Sequence, residues 1–227
     1  MKQKFTILFD LDGTLVDTAP DLMLAHNHVM RKFGYPTKST EDIRNLVGKG
    51  AGALIGRSIW GQAKKEFSKV LDEKIKDEMV KEFVNFYGKN IVNESTLING
   101  VKEFLKWCKD QNISMAVCTN KQEHLSNDLL KKIGIYDFFE YVAGSNTFDY
   151  CKPDPRHLTN VIEILDGDIK KTIMIGDSET DANAAKAAEI PVILLENGYT
   201  EKNTTEIYHN HLIKDFIGIE KIISKYL

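Results

Sequence analysis

The chain is poor in cysteine: Cys108, Cys118 and Cys151 are odd in number and form no Cys-x-x-Cys pair, which excludes a disulfide framework and a zinc knuckle. No apolar stretch approaches the roughly 18 residues of a membrane span, so no membrane partner is expected. Charge of neither sign dominates. The 33 acids and 30 bases leave a net charge of −3 with no block of like charge, which argues against a nucleic-acid surface. Internal repeats and low-complexity segments are also missing. Few residues precede the first apolar run, and Asp10 interrupts it, so no secretory leader is read there. The expectation is a soluble, unexported protein of the reducing cytoplasm, a monomer or homodimer. At 227 residues the chain can bury a sizeable core in one large domain or two unequal ones.

What is present is concentrated where the run Phe5-Thr6-Ile7-Leu8-Phe9 ends in Asp10-Leu11-Asp12-Gly13-Thr14-Leu15-Val16-Asp17. Short, apolar and rich in branched and aromatic residues, the run predicts a strand covered on both faces, as in a parallel sheet. Ligands of open α/β sheets bind just beyond the carboxyl ends of such strands. In an extended Asp-x-Asp the two carboxylates share one side of the chain, and at about 4 Å they repel by about 4 kcal/mol at an effective dielectric near 20. A hard dication with oxygen ligands, or a proton kept on one carboxyl, offsets that repulsion. Gly13 lets the backbone turn behind them. A plain Asp/Gly turn is the bland alternative; an EF-hand loop would need its glycine at Leu15 and a helix before it.

Strand-like runs at 113–118, 172–175 and 191–195 alternate with helical patterns. Val101, Phe104, Leu105 and Cys108 repeat at i, i+3, i+4 and i+7, as do Leu158, Val161, Ile162 and Leu165, giving each helix an apolar stripe to lay on a sheet. The alternation predicts an α/β fold with a doubly wound, Rossmann-like parallel sheet. Residues 18–93 break it. They read as helical throughout, with Pro20 near a helix start, Gly34 near its end and a glycine-rich stretch at Gly48, Gly50, Gly52 and Gly56. An inserted helical domain at 18–93 then divides the core into 1–17 and 94–227.

Three polar clusters fall at or after predicted strand ends, so the topology brings them to one edge of the sheet. Thr119-Asn120-Lys121 offers a hydroxyl, an amide and backbone N–H groups suited to phosphate oxygens. Lys152-Pro153-Asp154-Pro155 opens a helix, its prolines restricting the backbone that carries the Lys152 ammonium. In Gly176-Asp177-Ser178-Glu179-Thr180-Asp181 the i, i+4 spacing puts Asp177 and Asp181 on one face of a helical turn. Four acids are thus expected around one point. Each cluster alone is weak, since caps, solvated helix starts and macrodipole-compensating acids look the same.

Their order and spacing together resemble the four motifs of the haloacid dehalogenase (HAD) superfamily, across nearly the entire chain. The resemblance implies a HAD core with a helical cap and a Mg²⁺-dependent phosphomonoester hydrolase. Asp10 would be the nucleophile that forms an aspartyl phosphate, and Asp12 the general acid and base. Mg²⁺ would be held by the Asp10 carboxylate, the Asp12 backbone carbonyl and Asp177, with Asp181 adjacent. Thr119, Asn120 and Lys152 would grip the phosphoryl group.

Variation within the superfamily narrows this further. Dehalogenases lack the second aspartate, so Asp12 argues for phosphoryl transfer. β-Phosphoglucomutase relatives usually carry histidine where this chain has Leu22, which disfavours a mutase. The segments Asp17-Thr18-Ala19-Pro20-Asp21-Leu22, Val47-Gly48-Lys49-Gly50-Ala51 and Gly198-Tyr199 resemble phosphoglycolate phosphatases, although relatives often carry Asn at position 49. A small anionic phosphate ester, 2-phosphoglycolate first, is the implied substrate, with a sugar phosphate as the alternative. Arg44 and Lys49 are candidate cap cations for its carboxylate. A signalling receiver domain shares the Asp, Thr and Lys pattern but needs no inserted lid. His26, His28, His209 and His211 are given no role, and Cys118 reads as a small buried residue.

Overall fold

The computed structural model describes residues 4–63 and 73–227. In chain order these form β1 (Thr6–Phe9), β2 (Val16–Asp17), α1 (Ala19–Phe33), α2 (Thr40–Arg44), α3 (Ala51–Ala63) and α4 (Glu73–Lys89). There follow β3 (Thr96–Leu97), α5 (Val101–Asp110), β4 (Ser114–Cys118), α6 (Glu123–Ile133), β5 (Tyr141–Ala143) and α7 (Arg156–Ile164). The last elements are β6 (Thr172–Gly176), α8 (Glu179–Ala187), β7 (Val192–Leu195), β8 (His211–Ile213) and α9 (Glu220–Ile223).

Six strands make one parallel sheet in the order β5-β4-β1-β6-β7-β8, with β1 at its centre. Phe9 pairs with Val117 on one side and Ile175 on the other, so Asp10, Thr119 and Asp177 leave the sheet at the same edge. Strand alternation divides the core in two. Ile7, Phe9, Met115, Val117, Ile173 and Ile175 face α5, α6 and α9, whereas Leu8, Ala116, Cys118 and Met174 face α7 and α8. Both faces are therefore covered, as a parallel sheet requires. Val101, Phe104, Leu105 and Cys108 are all buried, as the stripe on α5 predicts.

Helices α1 to α4 pack on one another, between the two crossings of β2 and β3. Those strands pair antiparallel, Val16 with Leu97 and Asp17 with Thr96. Asp21, buried on α1, reinforces the crossing by accepting from the backbone N–H groups of Asn93 (3.0 Å) and Ser95 (2.9 Å) and from the Ser95 hydroxyl (2.6 Å). Pro20 lies in the first turn of α1, and Gly34 caps its end with φ 78°, a left-handed conformation that glycine adopts without strain.

His157 on α7 is fully buried and meets Phe148 edge to face. Burial, aided by the Lys152 charge, lowers its pKa from 6.5 to about 4. Between those values the unfolded chain binds a proton that the folded chain refuses. This contribution to stability is complete above pH 6.5 and is lost as the pH falls towards 4. At ~1.36 kcal/mol per pKa unit, His157 should account for about 3 kcal/mol of acid destabilisation. Urea unfolding at several pH values should show a flatter dependence for His157→Leu than for wild type; an identical dependence would refute the assignment.

Candidate active site

Asp10 follows the central strand, its N–H donating to the Ile175 carbonyl at 2.9 Å. The chain then turns through Gly13 at φ 83°. A Cβ at Gly13 would lie 2.1 Å from Asp177 Oδ2, so glycine is required for space as well as conformation. Asp177 ends β6 at the next loop. Its Oδ2 accepts from the Tyr199 N–H at 2.7 Å, in a loop where a Cβ at Gly198 would lie 1.9 Å from the Asp177 carbonyl oxygen. Asp181, on the first turn of α8, closes a capping box: its Oδ2 accepts from the Ser178 N–H (3.1 Å) and hydroxyl (2.8 Å).

Lys152 enters this acidic site from the loop before α7. Its Nζ donates to Asp10 Oδ1 at 2.9 Å and Asp181 Oδ1 at 2.5 Å, with only 3% of the residue exposed. Burial disfavours the ammonium, but Asp10 and Asp181 reverse that effect and hold its pKa above the usual lysine range. Burial raises the Asp10 carboxyl to about 6 against the pull of Lys152, with Asp181 and Asp12 adding repulsion. Asp177 is pushed well above the carboxylate range by burial, then by repulsion from Asp10 and Asp181. Among the described residues, Asp10, Asp177 and Asp181 bring one carboxylate oxygen each within 4.8 Å of the others. Three buried acids against one ammonium, all with hard oxygen donors, fit a divalent cation such as Mg²⁺.

The expected fourth acid is elsewhere. The Asp12 carboxylate accepts from Thr18 Oγ1 at 2.7 Å and from Lys121 Nζ at 2.7 and 2.9 Å, because a hydroxyl and an ammonium offer it better partners than three carboxylates would. Its backbone carbonyl is the donor that the family resemblance implies. Asn120 also departs from expectation. Its side-chain amide nitrogen donates to the Lys152 carbonyl at 2.9 Å and the Gly48 carbonyl at 3.1 Å, so the side chain joins two loops instead of presenting its amide N–H groups to a ligand. Thr119 is buried, and its hydroxyl accepts from the Lys121 N–H at 3.2 Å.

A cavity of about 180 Å³ opens from Asp10, Asp12, Thr119 and Lys121 towards an apolar roof of Leu22, Leu54, Phe83, Tyr87 and Leu125. Lys49 is exposed and lines it; Arg44 does not. The Arg44 guanidinium instead pairs with Asp17 at 2.6 Å and lies over the Tyr199 ring at 5.4 Å. The Tyr199 hydroxyl donates to Asp17 at 2.5 Å and accepts from the Ala19 N–H at 2.8 Å. Arg44 therefore fastens the chain crossing and does not reach the cavity. His26 has both ring nitrogens engaged, by Asn27 and Ser58, and burial pushes the Cys118 thiol up to about 12, so neither is poised for chemistry.

Comparison with known proteins identifies one family. The model of the haloacid dehalogenase-like hydrolases matches residues 7–195. The chain belongs to this HAD family. A phosphoglycolate phosphatase of Mesorhizobium japonicum is 38% identical over 210 residues, covering 92% of this chain and 90% of the relative. One of Caulobacter vibrioides is 37% identical over 216 residues, covering 95% and 89%. The crystal structure of a protein from Haemophilus somnus 129PT, described as a predicted phosphoglycolate phosphatase, superposes with a TM-score of 0.91 at 31% identity, covering 98% and 99%. Within the HAD site, two buried residues have no role in the sequence reading, Lys121 and Tyr87. Lys121 stood beside the Thr-Asn pair at a strand end and could have been found there. Tyr87 gave no signal, because only folding brings α4 over Asp12.

Proposed function

We propose that this HAD-type phosphatase hydrolyses a small anionic phosphate monoester, 2-phosphoglycolate, through an aspartyl phosphate on Asp10, with residues 18–93 as the cap over a 1–17 and 94–227 core. The observation that carries the reading is the Asp10 carboxylate, buried at the carboxyl end of the central strand, bonded to Lys152 and lining the cavity. An Asp10 oxygen attacks phosphorus as the ester P–O bond breaks, and Asp12 gives a proton to the leaving alkoxide. Water then attacks the aspartyl phosphate, Asp12 takes its proton, and inorganic phosphate leaves with Asp10 restored. Thr119 and Lys152 donate to the phosphoryl oxygens in both halves. Mg²⁺, when held by Asp10, Asp177 and the Asp12 carbonyl with Asp181 adjacent, offsets the negative charge shared by phosphoryl group and carboxylates.

Discrimination among phosphate esters has to come from groups that meet the substrate beyond the phosphoryl, because that group is common to all of them. From the cap, Lys49 is a cation in the cavity wall. Leu22 stands in the cavity wall, an apolar side chain where mutase relatives usually carry a histidine, which favours hydrolysis over intramolecular transfer. A panel of phosphorylated metabolites assayed with and without Mg²⁺ tests the proposal. One charge-assisted contact contributes about 1.5–3 kcal/mol, so 2-phosphoglycolate should exceed neutral sugar phosphates roughly 10- to 150-fold in kcat/KM. A preference for neutral sugar phosphates would overturn the assignment.

A further inference from the structure

We infer that Lys121 receives the second anionic group of the substrate, and that by doing so it frees Asp12 for the leaving oxygen. The inference rests on the reading of the substrate as a carboxylated phosphate ester and names the residue that recognises the carboxylate. Of the two lysines in the cavity wall, Lys49 is exposed whereas Lys121 is only 8% exposed. The Lys121 ammonium lies 4.5 Å from the centre of the Tyr87 ring, at the junction between the acidic floor and the apolar roof. An anion entering this roof loses water and needs a buried cation in return.

A second observation points to the same wall of the cavity. Tyr87 is 1% exposed, lines the cavity, and its hydroxyl has no hydrogen-bond partner, although buried hydroxyls are nearly always satisfied. A carboxylate held by Lys121 against this wall can accept from the Tyr87 hydroxyl as well. The size agrees: about 180 Å³ is below the range of pockets for drug-sized ligands and suits a phosphoryl group bearing a two-carbon acid.

The same ammonium links recognition to turnover. Both Asp12 oxygens are held by Lys121, outside the trio of Asp10, Asp177 and Asp181. A substrate carboxylate is a competing partner for Lys121. Once it binds, Asp12 retains only the Thr18 hydroxyl and can swing to the ester oxygen. An ester lacking the anionic group leaves the Lys121–Asp12 pair closed, so the device selects by rate as well as by affinity.

The test compares kcat/KM for 2-phosphoglycolate and ethyl phosphate, which share a two-carbon chain and differ in the carboxylate. Wild type should prefer 2-phosphoglycolate. In Lys121→Met that preference should fall at least tenfold, with partial recovery in Lys121→Arg. Tyr87→Phe should lower it several-fold; because the hydroxyl it removes has no partner, this variant keeps the test decisive even where Lys121→Met folds poorly. A wild type that treats both esters alike overturns the substrate reading and the inference with it. A wild type that prefers 2-phosphoglycolate, with the preference unchanged in Lys121→Met or, where that variant does not fold, in Tyr87→Phe, overturns the role of Lys121 alone.

Discussion

Asp10→Asn should abolish phosphatase turnover, lowering kcat by about 10⁴-fold or more, while the protein remains folded. The amide has nearly the shape of the carboxylate and can still accept from Lys152, but its oxygen is a poor nucleophile and cannot form the acyl phosphate on which the second half of the reaction depends. Stability should be maintained. Asp10 is buried with Asp177 and Asp181 around it, and burial already raises its carboxyl to about 6, so a neutral isostere removes repulsion as well as attraction. The measurement is a paired one: steady-state rate on the best ester, and the thermal midpoint of the same preparation. A folded Asp10→Asn enzyme with more than a few per cent of the wild-type rate would reject covalent catalysis by this residue. Full activity of wild type in a strong chelator would separately reject the role given to Mg²⁺.

The elements that hold this site were legible in the sequence where one short segment carries its own signal. β1, β4, β6 and β7 are continuous apolar runs, and the residues after three of them, Asp10, Thr119 and Asp177, can be placed at one edge without knowing any contact. The edge strands β5 and β8 are three residues long and partly exposed, so neither apolar continuity nor alternation marks them. The two-residue strands β2 and β3 owe their pairing to the chain leaving and re-entering the sheet at one place, which local sequence does not encode.

Side-chain direction was the harder quantity. Asp12 follows the same strand as Asp10, yet it turns to Lys121, 109 positions away, because a partly buried carboxylate points to the compensating charge nearest it. Arg44 was read as a ligand for substrate because it is a cation in the cap, and Asp17 at the crossing claims it instead. Lys152 precedes Pro153 and Pro155, and its ammonium meets Asp10 and Asp181 at the sheet edge where the motif order puts it.

Lys152→Met should separate affinity for the metal from catalysis. The ammonium lies within 2.9 Å of oxygens on Asp10 and Asp181, so it competes with any cation for the same negative charge. Its removal should tighten Mg²⁺ binding in a calorimetric titration, even as it disables the enzyme. Two costs oppose that gain. The transferring phosphoryl group loses a charged donor, a kind of loss worth roughly 10²- to 10³-fold in kcat. The folded apoprotein also keeps buried acids without their counter-charge, which costs about 3–5 kcal/mol when one partner of a buried pair is deleted. Added Mg²⁺ should therefore raise the thermal midpoint of Lys152→Met more than that of wild type, without restoring the rate. Weaker Mg²⁺ binding in the variant would mean that Lys152 chiefly shapes the loop around the site, and a rate above about a tenth of wild type would show that the phosphoryl group does not depend on it.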